Sequence, residues 1–357
     1  MALERIFVTR LAHVIYQHPI LDRAIEFLED FGLIQECIED SRVYLRGYDS
    51  QPYCYIAEQS PDNKRHFVGA YYVVKDFFEL EKAAKHPTAT GITSNQGPGG
   101  GKVVTLKDPY NGFIVGFLHG QTPRASQVST KIMDMEIDPS KFNLAIEKNR
   151  MGGTRRFKEG ASPVYKLGHY GIVVPAHLYE KTLEWYTTTL NLEPTDMIYV
   201  PTTGKDVTCF CHIDLGEEYS DHHTFFVASD ANALNAHPHH CSFEVNDFDT
   251  QSVGHHWLQK KGWTNCWGIG RHLLGSQIFD YWFDASGNIV EHYSDGDLVN
   301  KHTPVVRNAA AVNTLYVWGP NIPLGFNNAT VKFPEQVSAI SAPDVLKAVP
   351  AQVEMRS

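Results

Sequence analysis

The sequence predicts an α+β fold: two tandem copies of one β-α-β-β-β unit, each building a curved mixed sheet, followed by an irregular C-terminal tail. Three observations predict it. Short runs rich in Val, Ile, Tyr and Phe, bounded by Gly, Pro, Asn and Asp, read as strands. The same landmarks recur far apart: Val74-Lys75-Asp76-Phe77 answers Val245-Asn246-Asp247-Phe248, and Gly112-Phe113-Ile114-Val115 answers Gly287-Asn288-Ile289-Val290. A repeat this long means duplicated domains rather than a solenoid. The length of 357 residues, 43% of them apolar, is room for about two domains.

The first copy spans 1–120 and opens with the strand Leu11 to Ile15. A helix follows, with Pro19 near its start, Ala24, Phe27, Leu28 and Phe31 on its apolar face, and a stop at Gly32. Strands are expected at 42–46, 53–57 and 67–74, a short helix at 76–84, then a strand at 102–106, a turn at 108–112 and a strand at 113–117. Residues 121–163 read as a polar connector.

The second copy, 164–295, opens with the strand 167–174, and Pro175 starts a helix carrying Leu178, Leu183, Tyr186 and Leu190. Strands are expected at 197–200, 207–213, 224–228 and 240–245, a helix from Asp247, then strands 278–283 and 288–293 around the turn Asp284 to Gly287. Residues 268–272 read as a flexible approach loop. The tail, 296–357, carries six prolines and reads as irregular chain that either covers a pocket mouth or serves an interface.

Composition excludes several function classes. A formal net charge of -10 with no local basic patch argues against a nucleic-acid partner. There is no run of about 18 apolar residues and no signal-peptide pattern, so a cytoplasmic protein with no membrane partner is expected. The six cysteines contain no Cys-x-x-Cys pair and read as free thiols in a reducing compartment. The glycine run at 97–101 lacks the first glycine and the Ser/Thr of a phosphate-binding loop.

Histidine is the unusual residue. Of 18, only five precede residue 150, so a chemical site is expected in the second copy. His169 sits in its first strand, His239-His240 opens a later one, and Glu291 sits in the last. Two imidazoles and a carboxylate converging on one face of a curved sheet can bind a divalent metal and leave positions open, as in non-haem Fe(II) oxygenases. A single strand histidine is more often structural than ligating. Landmark alignment adds weight, because Gly69 lies opposite His240 and Gly116 opposite Glu291, while only His13 keeps its type. The first copy therefore lacks the set.

The stretches Leu167-Gly168-His169, Asp221-His222-His223-Thr224, His239 to Val245, Gly270-Arg271-His272 and Tyr281 to Glu291 resemble the extradiol ring-cleavage dioxygenases of the vicinal oxygen chelate superfamily, of the catechol 2,3-dioxygenase and 2,3-dihydroxybiphenyl dioxygenase kind. The resemblance implies tandem vicinal-oxygen-chelate domains, the first non-catalytic. It implies Fe(II), with Mn(II) as the other candidate, held by His169, His240 and Glu291. It implies an acid/base role for His223, hydrogen bonds from His272 and Tyr281 to the substrate oxygens, and a pocket-lining His239. The implied partners are a catechol-type aromatic and O₂, in aromatic compound catabolism, and the implied assembly is a homo-oligomer.

Departures bear on the substrate. Ala285 replaces a proline common in the turn before Glu291. Gly171 stands where relatives carry a larger side chain, on the face of His169, so a roomier pocket is expected there. Trp267 stands near a basic residue of relatives that cleave carboxylated catechols, which points to an apolar aromatic substrate. Two alternatives stay open: a glyoxalase-type metal-dependent isomerase or lyase, and an aromatic-ligand binding protein of the same fold.

Overall fold

The computed structural model describes residues 4–124, 142–153, 158–311 and 314–333. The first copy contains β1 (Val8–His18), α1 (Leu21–Phe31), β2 (Ile34–Glu39), β3 (Arg42–Arg46), β4 (Tyr55–Gln59), β5 (His66–Val74), α2 (Phe77–Ala84), β6 (Thr93–Ser94), β7 (Lys102–Lys107) and β8 (Ile114–His119). These are two β-α-β-β-β modules. The second copy repeats them as β9 (Val164–Pro175), α3 (Tyr179–Thr189), β10 (Leu192–Tyr199), β11 (Asp206–Ile213), β12 (Ser220–Asp221), β13 (Phe225–Asp230), β14 (His237–Val245), α4 (Phe248–Lys260), β15 (Asn265–His272), β16 (Ile278–Phe283) and β17 (Ile289–Ser294). The tail adds β18 (Leu298–Val299), β19 (Val306–Ala309) and β20 (Tyr316–Trp318).

Local chemistry explains why the repeat landmarks recur. Asp76 and Asp247 are N-caps: each carboxylate accepts a backbone N–H three residues on, from Glu79 at 3.1 Å and Thr250 at 2.8 Å. Asp108 and Asp284 build the turns before β8 and β17 by accepting backbone N–H groups, and Gly112 (φ 78°) and Gly287 (φ 81°) supply the left-handed residue each turn needs. Gly32 ends α1 at φ 110°, and its missing Cβ also lets the backbone of Ser162 approach.

Sheet order is the same in both copies. The first runs β2-β3-β4-β1-β5-β8-β7-β6, and the second runs β10-β11-β13-β9-β14-β17-β16-β15, with β19 and β20 added at its two ends. At each centre an antiparallel pair, β1·β5 or β9·β14, is flanked by parallel partners, β4 and β8 or β13 and β17. One continuous apolar core joins the copies, from Val14, Phe27 and Phe31 to Tyr170, Phe225 and Val290. His292 stacks on Phe31 at 3.6 Å and donates to its carbonyl.

The structure departs from the sequence reading in three places. Ile34–Glu39 is an additional edge strand, largely exposed, whose charged residues hide its period. Residues 268–272 are strand rather than flexible loop, because β16 and β20 supply ladder partners on both sides of a glycine-rich run. The described part of the tail packs over the second sheet but is not wholly irregular, since β19 pairs parallel with β10. Residues 125–141 and 154–157 of the expected connector, and the tail from 334 on, lie outside the described residues. All six cysteines are free. Among the described residues no helix is long and apolar enough to cross a membrane.

Candidate metal centre

Three neighbouring central strands bring the three expected ligands together. In the register of the sheet His169 on β9 faces Ser242 on β14, and Ser242 faces Glu291 on β17. His240 lies two residues before Ser242 and so projects from the same face. The ligand atoms of His169, His240 and Glu291 lie within 4.8 Å of one another, and all three residues are buried. His169 Nε2 is 3.1 Å from His240 Nε2, and these nitrogens are 3.2 and 3.4 Å from Glu291 Oε2. A cation about 2.1 Å from each ligand, with the ligands at right angles, places them about 3 Å apart. The set therefore fits three corners of one octahedral face.

Orphaned polar atoms support the same fit. Both Glu291 oxygens are buried without a hydrogen-bond partner. Such groups are costly in a folded interior unless a cation or proton satisfies them. Burial would raise the Glu291 carboxyl, but the imidazoles of His169, His240 and His272 hold it well below the usual carboxylate range. Burial pulls His240 down to about 4, which keeps its ring neutral and its lone pair ready for a metal. His240 Nδ1 meets His239 Nδ1 at 2.8 Å, an outer contact that orients the ligand ring.

The first copy shows why it lacks the centre. His13 is buried, but the other two ligand positions are Gly69 and Gly116, and its register partner Tyr71 stacks on it at 4.4 Å. A Cβ at Gly116 would overlap that ring. The counterpart of Tyr71 in the second copy is Ser242, whose small side chain leaves the space open. This exchange of a large for a small residue is legible in the sequence once Tyr71 and Ser242 are set opposite each other.

His223, His272 and Tyr281 line the same cavity of about 170 Å³ as His169, His239 and His240. His223 sits in the loop before β13, its ring 4.0 Å from that of His169. Its neighbours pin that loop: Thr224 N–H donates to the Cys211 carbonyl and His222 N–H to the Asp297 carbonyl. Behind it runs a chain of contacts. Asp196 Oδ2 is 2.7 Å from His222 Nε2, and His222 Nδ1 is 3.1 Å from His223 Nδ1. The carboxylate can only accept, so a neutral His222 carries its proton on Nε2 and accepts at Nδ1. His223 then donates from Nδ1 and keeps the Nε2 lone pair for the cavity. Burial lowers the His223 ring well below its ordinary value, with the neighbouring His169 and His222 adding to it. Asp196 and His222 were not among the expected site residues, and nothing local in the sequence joins two positions 26 apart.

The second polar arm is shorter. The Leu315 carbonyl lies 2.6 Å from His272 Nδ1, which must therefore donate, so a neutral His272 accepts the Tyr281 hydroxyl at Nε2 (2.8 Å). Burial pushes the Tyr281 phenol up, and Glu291 nearby adds to this.

Two expected substrate contacts are placed differently. The space beside Gly171 is not open: a Cβ there would overlap the Phe226 ring. Phe226 is the strand neighbour of Gly171, and its ring also lies 5.1 Å from that of His240. Trp267 does not line the cavity. It is buried behind Tyr281 and Phe326, with its indole N–H donating to the Pro320 carbonyl. The tail, left open between pocket cover and interface, contributes Ala310, Ala311, Thr314, Leu315, Phe326 and Asn327 to the cavity wall.

No family model matches the chain. Over 331 residues it is 28% identical to metapyrocatechase 2 of Cupriavidus necator, an alignment covering 88% of this chain and 90% of that one. Among solved structures it is similar to homoprotocatechuate 2,3-dioxygenase of Brevibacterium fuscum in complex with 3,4-dihydroxyphenylacetate (TM-score 0.73, 14% identity, 91% of this chain and 93% of that chain). It is also similar to the Mn(II)-bound glyoxalase of Novosphingobium aromaticivorans (TM-score 0.68, 17% identity, 89% of this chain and 92% of that chain). At those identities the structural likeness establishes the fold. The resemblance read from the sequence is borne out by a sequence relative, metapyrocatechase 2, that spans most of the chain.

Proposed function

We infer that this chain, a member of the extradiol ring-cleavage dioxygenases, inserts both atoms of O₂ into a catechol-type aromatic and opens the ring next to the diol. The observation that carries the reading is the buried triad His169, His240 and Glu291, whose two histidines line one cavity with His223, His272 and Tyr281. A glyoxalase-type isomerase needs the triad but not this second set, and a simple aromatic-ligand binder needs no triad at all.

His169, His240 and Glu291 are the residues that would hold the metal, Fe(II) in the first instance, with Mn(II) equally compatible with two nitrogens and a carboxylate. Bound there, the metal supplies a Lewis acid that lowers the pKa of the chelated diol and an electron path between the diol and O₂.

The chain's own residues do the rest. His223 Nε2 offers a lone pair to the cavity and acts as base toward a catechol hydroxyl, returning the proton during ring opening. The Asp196–His222 pair holds that ring with its Nδ1–H turned outward and its Nε2 lone pair toward the cavity. Tyr281, held by His272, hydrogen-bonds a diol oxygen. His239 braces His240 and closes the cavity wall with Phe226 and Phe326 at 5.2 Å each, which excludes water. The catechol supplies all four electrons, so no external reductant is required. The setting that fits is cytoplasmic breakdown of aromatic compounds by a homo-oligomer.

Oxygen uptake by anaerobically purified, Fe(II)-loaded protein, followed with visible absorbance across a catechol panel, tests this. One O₂ consumed per catechol with a yellow semialdehyde product is expected. No uptake by protein holding stoichiometric metal would overturn the reading in favour of an oxygen-independent isomerase.

A further inference from the structure

We propose that Asn308, from the tail strand β19, is a positioning residue that sets the proton pattern of His223 through Asp196 and His222. The effect on catalysis rests on the acid/base role given to His223 above, whereas the proton pattern itself does not.

The four residues form one chain of contacts. Asn308 Nδ2 is 3.0 Å from Asp196 Oδ1. Asp196 Oδ2 is 2.7 Å from His222 Nε2, and His222 Nδ1 is 3.1 Å from His223 Nδ1. The register of β19 explains the first contact. Asn308 lies beside Ile198 on β10, and Asp196 is two residues earlier, on the same face. In β19 Val306, Arg307 and Ala309 are exposed, while Asn308 is half-buried. Arg307 anchors the strand by donating to Asp206 at 2.6 Å, and the Ala310 N–H closes on the Tyr199 carbonyl at 2.8 Å. The second polar arm also ends on the tail, where the Leu315 carbonyl accepts from His272 Nδ1.

A carboxylate accepts at both oxygens, so Asp196 serves two donors at once: Asn308 Nδ2 and His222 Nε2–H. Asp196 is only 7% exposed, so an unfilled oxygen there is costly. Asn308 therefore fills Oδ1 and leaves Oδ2 for His222. This makes one substitution decisive. In Asp196→Asn the side-chain oxygen stays with the Asn308 donor, which turns the new amide nitrogen toward His222 Nε2. His222 must then accept at Nε2 and carry its proton on Nδ1. His223 in turn accepts at Nδ1 and carries its proton on Nε2, so the cavity meets a donor instead of a base. Exchanging the two residues, Asp196→Asn together with Asn308→Asp, reverses the amide. The carboxylate now on β19 accepts from the amide nitrogen, the amide oxygen returns to His222 Nε2–H, and His223 recovers its Nε2 lone pair.

The test joins kinetics to nitrogen NMR shifts of isotope-labelled histidine, which separate protonated from unprotonated ring nitrogens. Oxygen uptake with catechol is measured on Fe(II)-loaded protein, and the shifts on the full chain before metal is added. His222→Gln and His223→Phe identify the two rings. In Asp196→Asn the proton should move from Nε2 to Nδ1 on His222 and from Nδ1 to Nε2 on His223. Its kcat should fall about 10²–10⁴-fold, the contribution of a positioned acid/base group, with bound iron unchanged. The exchanged pair should regain the wild-type shifts and at least about tenfold in kcat over Asp196→Asn. Should that pair not fold, Asp196→Asn with Asn308→Leu frees the amide to turn and should regain part of the loss. Unchanged shifts in Asp196→Asn overturn the proposal, as does a second substitution at Asn308 that restores nothing. Full turnover despite switched shifts overturns the effect on catalysis. These failures with normal wild-type oxygen uptake leave ring cleavage standing. The expected shifts without oxygen uptake by the wild type would instead keep the chain of contacts and remove the ring-cleavage reading.

Discussion

Replacing His223 with phenylalanine separates metal binding from acid/base chemistry. The ring keeps its volume, and its surroundings are already aromatic, with Phe210 at 5.1 Å and His169 at 4.0 Å. His223 lies beside the triad but offers it no ligand atom, so bound iron should stay within error of the wild-type stoichiometry. What is lost is the cavity-facing Nε2 and the Nδ1 donor to His222. Loss of a positioned acid/base group costs about 10²–10⁴ in kcat, equivalent to about 3–5 kcal/mol of barrier. The buried His222 Nδ1, now without its 3.1 Å partner, costs about 1–3 kcal/mol of stability. The assays are metal analysis, denaturant unfolding and oxygen uptake. Full turnover in the variant refutes the role given to His223. Loss of iron alongside loss of turnover refutes the separation, and would mean that the ring helps to hold the centre.

Two further outcomes follow from the packing. Gly171→Val should destabilise the protein by about 1–3 kcal/mol, since the new side chain must displace the Phe226 ring. Combining it with Phe226→Leu should recover part of that loss, and strictly additive unfolding free energies would show that the two positions do not share the space. His13 is buried, and burial first, with Arg10 and Arg42 adding to it, lowers its pKa to about 3. As pH falls below the ordinary histidine value the unfolded chain takes the proton and the folded chain does not. The stability linked to His13 is therefore present above about pH 6.5 and lost as pH falls toward about 3. Unfolding free energy should drop between pH 7.5 and 5 by about 2 kcal/mol more in the wild type than in His13→Phe, at about 1.36 kcal/mol per pH unit. Equal drops would mean that His13 is protonated in the folded state or that its ring is hydrated there.

Much of this molecule is written locally. The caps at Asp76 and Asp247, the turns at Asp108 and Asp284 and the stop at Gly32 depend on residues a few positions apart, so a single sequence exposes them and the duplication they mark. Strand period then assigns His169, His240 and Glu291 to faces, and comparison of the copies shows that Gly69 and Gly116 leave the first one without ligands. Residue type and strand period thus pointed to a candidate metal-binding triad and to the copy that carries it.

Tertiary structure decided what surrounds the triad. Gly171 reads as an opening until β13 lays the Phe226 ring across it. Trp267 reads as a pocket residue until Tyr281 and Phe326 come between it and the cavity. The tail reads as irregular until β19 and β20 find unpaired edges, which brings Ala310 and Phe326 to the cavity wall. Asp196 and His222 acquire a shared proton position only because β10 passes behind the loop before β13. The physical reason is common to all four. Backbone period and capping are short-range and leave a pattern in the chain, whereas ring packing, edge pairing and side-chain hydrogen bonds depend on which distant strands become neighbours.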